Sequence, residues 1–173
     1  GRTLGTEATL GQVQVLAPSP PPSTATLPID QPAGAVLGDA VRLLGFSATE
    51  EPLAPGADLA VSLFWQVLPG MDRVENDLFA FVQLLDDAGQ VQAGWEGPPV
   101  AWHATDAWQP GELVRSQHTL RLPAALADGR YRLIAGLFDA ATGQRLASSG
   151  GLLRAHRDYV PLDRVAVVGR EHV

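Results

Sequence analysis

The chain contains no cysteine and no lysine, and a single methionine among its 173 residues. Without cysteine there is no disulfide framework, and thiol chemistry is excluded. All 12 basic residues are arginine, set against 19 acids for a net charge of -7. An acidic chain repels phosphate backbones, which argues against nucleic acid, and it gains nothing from an anionic membrane surface. No apolar run approaches the roughly 20 residues that span a bilayer, so direct membrane insertion by this chain is not expected. Behind Gly1-Arg2-Thr3 there is no apolar run of the signal-peptide kind. Lacking an initiator methionine, the chain reads as a piece of a longer protein.

Two neighbouring apolar runs dominate what is present. In Leu59 to Val67, Leu59, Val61, Leu63, Trp65 and Val67 fall on one side of a strand, with Ala60, Ser62, Phe64 and Gln66 on the other. Side chains alternate faces along a strand, so this pattern predicts one wall of a core. Leu78 to Leu85 is apolar on both faces but for Gln83, the mark of a central strand covered on both sides. The same alternation recurs in Leu113 to Leu122, which turns Val114, Ser116, His118, Leu120 and Leu122 one way. It recurs in Arg130 to Phe138, which turns Tyr131, Leu133, Ala135 and Leu137 inward. Shorter strands are expected over Val36 to Ser47, Gln90 to Trp95, Gln144 to Ala147 and Pro161 to Val168. Ser148-Ser149-Gly150-Gly151 reads as a flexible loop.

No stretch has convincing helical periodicity; only Leu122 to Asp128 has room for a helical turn. Many short strands separated by turn signals predict an all-β Greek-key sandwich of immunoglobulin-like type, with a jelly-roll sandwich as the alternative. Asp128-Gly129-Arg130-Tyr131 resembles a tyrosine corner, in which the hydroxyl bonds back to nearby backbone. A domain of this length buries roughly 70% of its unfolded surface, so one core suffices.

Residues 1–34 are read as a short strand, Thr9 to Leu16, followed by a proline-rich connector, and residues 35–173 as the sandwich domain. Pro18, Pro20, Pro21 and Pro22 cannot enter a sheet interior and favour extended chain. Leu10, Val13 and Val15 are echoed at the same offsets by Leu162, Val165 and Val167. The echo is either chance or the sign that a strand ending one module recurs at the end of the next.

Several stretches together resemble a known module. They are Val41-Arg42-Leu43-Leu44-Gly45-Phe46, Pro55 to Gln66, Phe81 to Asp86, Trp108 to Val114, Gly129 to Leu133, Gly136 to Asp139 and Thr142 to Leu146. The module is a β-sandwich of unknown function found in large bacterial membrane proteins resembling glycosyltransferases of the dolichyl-phosphate-mannose type. The resemblance spans residues from about 36 to 168 and brings no catalytic residue with it. It implies an extracytoplasmic, cell-surface location and partners among the other modules of a parent chain.

The chemistry-bearing stretch is Trp95 to Trp108. Trp95, Trp102 and Trp108 offer aromatic faces for sugar rings, with His103 and Asp106 to meet hydroxyls. The competing reading is that these indoles plug the end of the sandwich, Trp108 above all. Glu96, His103 and Asp106 lack a recognised metal-ligand spacing, so no metal or other cofactor is expected. His118 reads as a packed core histidine, and His156 with Asp158 as a solvated pair. Gly-x-Ser-x-Gly is absent. The carboxylate pairs Glu50-Glu51 and Asp86-Asp87 are sequence neighbours that point apart, unlike the opposed pair of glycosidases. The leading functions are a non-catalytic spacer or docking module and, as the alternative, a carbohydrate-binding module; a hydrolase ranks last.

Overall fold

The computed structural model describes residues 27–150 and 157–169. The strand expected over Thr9 to Leu16 and the proline-rich connector lie outside them, as does His156. The strands are β1 (Gln31–Leu37), β2 (Val41–Ala48), β3 (Asp58–Val67), β4 (Leu78–Leu85), β5 (Val91–Gly97), β6 (Leu113–Arg121), β7 (Gly129–Asp139), β8 (Ser148–Ser149) and β9 (Val160–Val167). They form two antiparallel sheets in the orders β6-β3-β2-β1-β8 and β5-β4-β7-β9. The chain leaves the first sheet after β3, makes the β4–β5 hairpin, and returns as β6 beside β3. This exchange between facing sheets is the Greek-key, immunoglobulin-like arrangement.

The alternating residues set the wall between the sheets. Leu59, Val61, Leu63, Trp65 and Val67 of β3 are all buried, as are Leu78, Ala80, Val82 and Leu84 of β4. Tyr131, Leu133, Ala135 and Leu137 close the same core from β7. The Tyr131 hydroxyl donates to the Ala127 carbonyl at 2.8 Å, so the tyrosine corner forms.

Some expectations need correction. Val36 to Ser47 is not one strand. Gly38 and Asp39 both take positive φ, 55° and 56°, the backbone of a tight hairpin turn. The chain therefore folds back, pairing Leu37 with Val41. β1 also begins at Gln31, ahead of the boundary at residue 34, and a bulge between Pro32 and Ala35 interrupts its pairing with β2. Ser148–Ser149 is not loop: it pairs with Leu37 and Val36 at the sheet edge. The buried Ser148 hydroxyl donates its one proton between two carbonyls, those of Tyr159, at 2.7 Å, and Arg157, at 3.0 Å. Only Arg145 of the stretch expected to form its own strand makes a bridge, to Phe138. Among the described residues the helix-like pieces are short 3-10 turns at Pro69–Arg73 and Thr105–Ala107. Among the described residues no helix is long and apolar enough to cross a membrane.

A second, smaller cluster lies on the outer face of the β4–β7 pair: Phe81, Leu85 and Ile134, flanked by Phe138 and Tyr159. Gly136 is the register partner of Phe81, and the absence of a side chain there lets the ring lie over the strand. A methyl group on Gly136 would stand 2.5 Å from the ring. The ring has little room to move, because it is buried on the sheet with the Arg145 guanidinium over it at 4.0 Å. Gly136→Ala should therefore cost about 1–3 kcal/mol in denaturant unfolding. In a Phe81→Ala background the same substitution should cost under about 0.5 kcal/mol, because the clash is gone. An equal penalty in both backgrounds would contradict this contact.

Candidate functional site

The loop between β5 and β6 carries most of the candidate residues, and hydrogen bonds hold it against the sandwich end. Thr105 is its anchor. Its hydroxyl receives the Leu78 N–H at 2.6 Å and donates to the Asp77 carboxylate, while its own N–H reaches Asp77 Oδ1 at 3.0 Å. Gly111 N–H donates to the Val67 carbonyl at 2.8 Å, and Val67 N–H to the Glu112 carbonyl at 2.9 Å. The loop is thus stitched to β3 and to the start of β4.

Within this frame Trp108 is buried, 3% exposed, and its indole N–H donates to the His103 carbonyl at 3.1 Å. His103 Nε2 lies 2.6 Å from Glu112 Oε1, and the second Glu112 oxygen accepts from the Gln109 N–H at 2.9 Å. Trp102 stacks on the His103 ring with centroids 5.8 Å apart and planes at 20°. Trp102 itself is 88% exposed. A large apolar side chain is normally covered, yet this one is held out on a loop whose base is tied down.

The three indoles do not form one platform. Trp108 faces inward and packs the loop, as the structural reading of Trp-Gln-Pro-Gly anticipates. Trp95 is half-buried and lies on His118, with centroids 4.1 Å apart. Asp106 is exposed, in the short turn before Trp108. Glu96, His103 and Asp106 do not converge, and among the described residues no group of three or more His, Asp or Glu side chains is arranged to hold a metal ion. Asp158 meets Arg145 at 3.9 Å.

A cleft of about 370 Å³ beside β9 gathers Asp30, Glu50, Glu51 and Asp163. Sequence reading missed this grouping, because the four carboxylates come from distant parts of the chain. The only signal was the Glu50-Glu51 pair, and it does not reveal which strand lies opposite.

His118 is buried on the inner face of β6, as expected. The Trp65 indole N–H donates to the Ser116 hydroxyl at 2.9 Å, and Ser116 lies 2.8 Å from His118 Nε2. Ser116 can therefore donate its own proton to Nε2, which puts the ring proton on Nδ1. Nδ1 has no partner among the described residues. Burial pushes the imidazole down from 6.5 to about 4, because a charged ring is poorly solvated there.

No family model matches the chain, and no curated protein matches it. Among solved structures it is similar to a beta-glucuronidase from glycoside hydrolase family 2, with 14% identity and a TM-score of 0.44. The match covers 61% of this chain and 11% of that one, so the chain spans about a tenth of that enzyme's length. It is also similar to the C-terminal domain of wzt, with 13% identity and a TM-score of 0.43 over 79% of this chain and 78% of that one. These likenesses concern the fold alone.

The His118 environment sets a pH dependence. Between pH 6.5 and about 4 the unfolded chain binds a proton that the folded chain excludes. Stability should therefore fall as pH drops through that window, by an amount on the order of 2–3 kcal/mol, and His118 should add no slope above it. Carboxylates titrate nearby, so the readout is the difference in unfolding free energy between the native chain and His118→Gln across pH 4 to 7. Parallel curves would contradict the buried neutral imidazole.

Proposed function

We propose that this chain is a non-catalytic β-sandwich module that docks to a partner, and that Trp102 is its contact residue. The observation that carries the reading is the 88% exposure of Trp102 on a hydrogen-bonded loop. Keeping an indole in water has a free-energy cost that burial in a complex recovers, and a loop already ordered loses little entropy on binding. The resemblance to modules of large bacterial membrane proteins supports an extracytoplasmic place in a longer chain, with neighbouring modules as partners.

A second reading concerns the same residue. A flat exposed indole backed by the His103 ring suits the C–H face of a sugar, with the partner a glycan rather than a protein surface. Intrinsic tryptophan fluorescence titrated with neutral polysaccharides tests it. The expected result is a saturable spectral change that Trp102→Ala abolishes, the substitution weakening binding by about 2 kcal/mol or more. Stability should stay within about 0.5 kcal/mol of the parent, because the site is exposed. No spectral change with any polysaccharide would reject the glycan. For the docking reading, a photo-reactive phenylalanine analogue at position 102 should cross-link to a neighbouring module of the parent chain. Failure to cross-link would reject it.

A further inference from the structure

The register of β7 against β9 sets Arg132 directly opposite Arg164. Like charges placed face to face across strands oppose the pairing. Arg157, just ahead of β9, joins them around a pocket of about 270 Å³ that also takes in Tyr159, Ile134 and Pro161. Arg157 donates to the Tyr159 hydroxyl at 2.6 Å and lies 5.3 Å above its ring, so the two form a braced wall.

Carboxylates answer little of this charge. Arg164 has Asp87 at 3.7 Å. Among the described residues, Arg132 donates to the Asp86 carbonyl, at 3.4 Å. Among the described residues neither Arg132 nor Arg157 has a carboxylate within ion-pair distance. Asp163 also lines the pocket, and one of its oxygens accepts from the Arg164 N–H at 2.7 Å. Its neighbour on the same outer face, Arg145, is by contrast settled: it stacks on Phe81, pairs with Asp158, and donates to Gln83 at 3.2 Å. Three arginines line this pocket with one aspartate, Asp163, and Asp87 reaches Arg164 from outside it, which leaves an excess of positive charge in a chain whose net charge is -7.

We propose that the pocket on the outer face of the β7–β9 pair binds an oxyanion, a carboxylate, sulfate or phosphate, through Arg132, Arg157 and Arg164. Guanidinium groups present paired N–H donors that match the spacing of two oxyanion oxygens. An anion between Arg132 and Arg164 converts their mutual repulsion into a clamp. Tyr159 and Pro161 form an apolar border for whatever carries the anion. Two sources supply this chemistry, a free inorganic anion and an acidic sugar. The site is independent of Trp102.

The test is an NMR titration of the folded chain, following arginine side-chain N–H resonances with phosphate, sulfate, galacturonate and glucose as probes. Saturable shifts of Arg132, Arg157 and Arg164 are expected with the anions and none with glucose. Arg132→Gln and Arg157→Gln should each weaken binding about tenfold or more, while Trp102→Ala leaves it unchanged. Arg157→Gln lies at the pocket rim, so it remains informative if Arg132→Gln perturbs the strand. Tighter binding of galacturonate than of phosphate assigns the acidic sugar; the reverse order assigns the free anion. The proposal is overturned by non-saturable shifts, by equal affinity in the arginine variants, or by an equal response to glucose.

Discussion

The structure depends on one geometrical constraint: successive strand residues face opposite ways, so two sheets can enclose one apolar layer only if every second residue is apolar. β3 meets it over its whole length and pairs residue for residue with β6 from Asp58↔Arg121 to Gln66↔Leu113. A shift of one residue would turn Leu59, Val61, Leu63 and Trp65 to the outside. The pairing also brings Trp65 within reach of Ser116, so the indole N–H is satisfied inside the core, where an unpaired donor costs about 1–3 kcal/mol. Once β3 and β6 are fixed, the loop before β6 has fixed ends, and its hydrogen bonds to Val67 and Leu78 decide where Trp102 stands.

What the sequence made legible follows from this period of two. The inner faces of β3, β6 and β7 could be named residue by residue, because long alternating runs admit one register. The turn at Gly38-Asp39 was harder to see, since apolar residues lie on both sides and hide a hairpin inside what looks like one strand. Ser148–Ser149 was read as loop because serine and glycine carry no hydrophobic pattern. It becomes a strand only through the partners that Val36 and Leu37 offer. Phe64 lies on the face of β3 that the alternation rule assigns to solvent, and Phe81 lies on the second covered face expected of β4. Both are buried, and each carries a guanidinium over its ring, Arg115 at 5.6 Å and Arg145 at 4.0 Å. Arginine stems and planar heads cover aromatic surface while staying hydrated at the rim.

The candidate site was half legible. Its residues were found, because tryptophan, histidine and aspartate within one loop stand out. Their division of labour was not, because burial in a loop follows no period. Trp108 turns inward to seal the loop, Trp95 turns onto His118, and Trp102 is left outside. The charged surfaces were not legible at all. Arg132 and Arg164 meet only through strand register, and Asp163 joins Glu50 and Glu51 only because β9 lies beside the chain that follows β2. The acidic cleft and the arginine pocket thereby meet at one edge strand, with Asp163 lining both. Charge on an exposed edge also discourages pairing with another chain, so these residues guard the sheet while leaving pockets on both sides of β9.

The central claim is that the sandwich seals Trp65 and Trp108 and holds Trp102 out. Limited oxidation of the native chain with N-bromosuccinimide, followed by peptide mapping, tests it directly. The account predicts that Trp102 is modified first, with Trp65 and Trp108 unreacted until the chain unfolds. Oxidation of Trp65 or Trp108 at a rate comparable to Trp102 in the folded chain would contradict it.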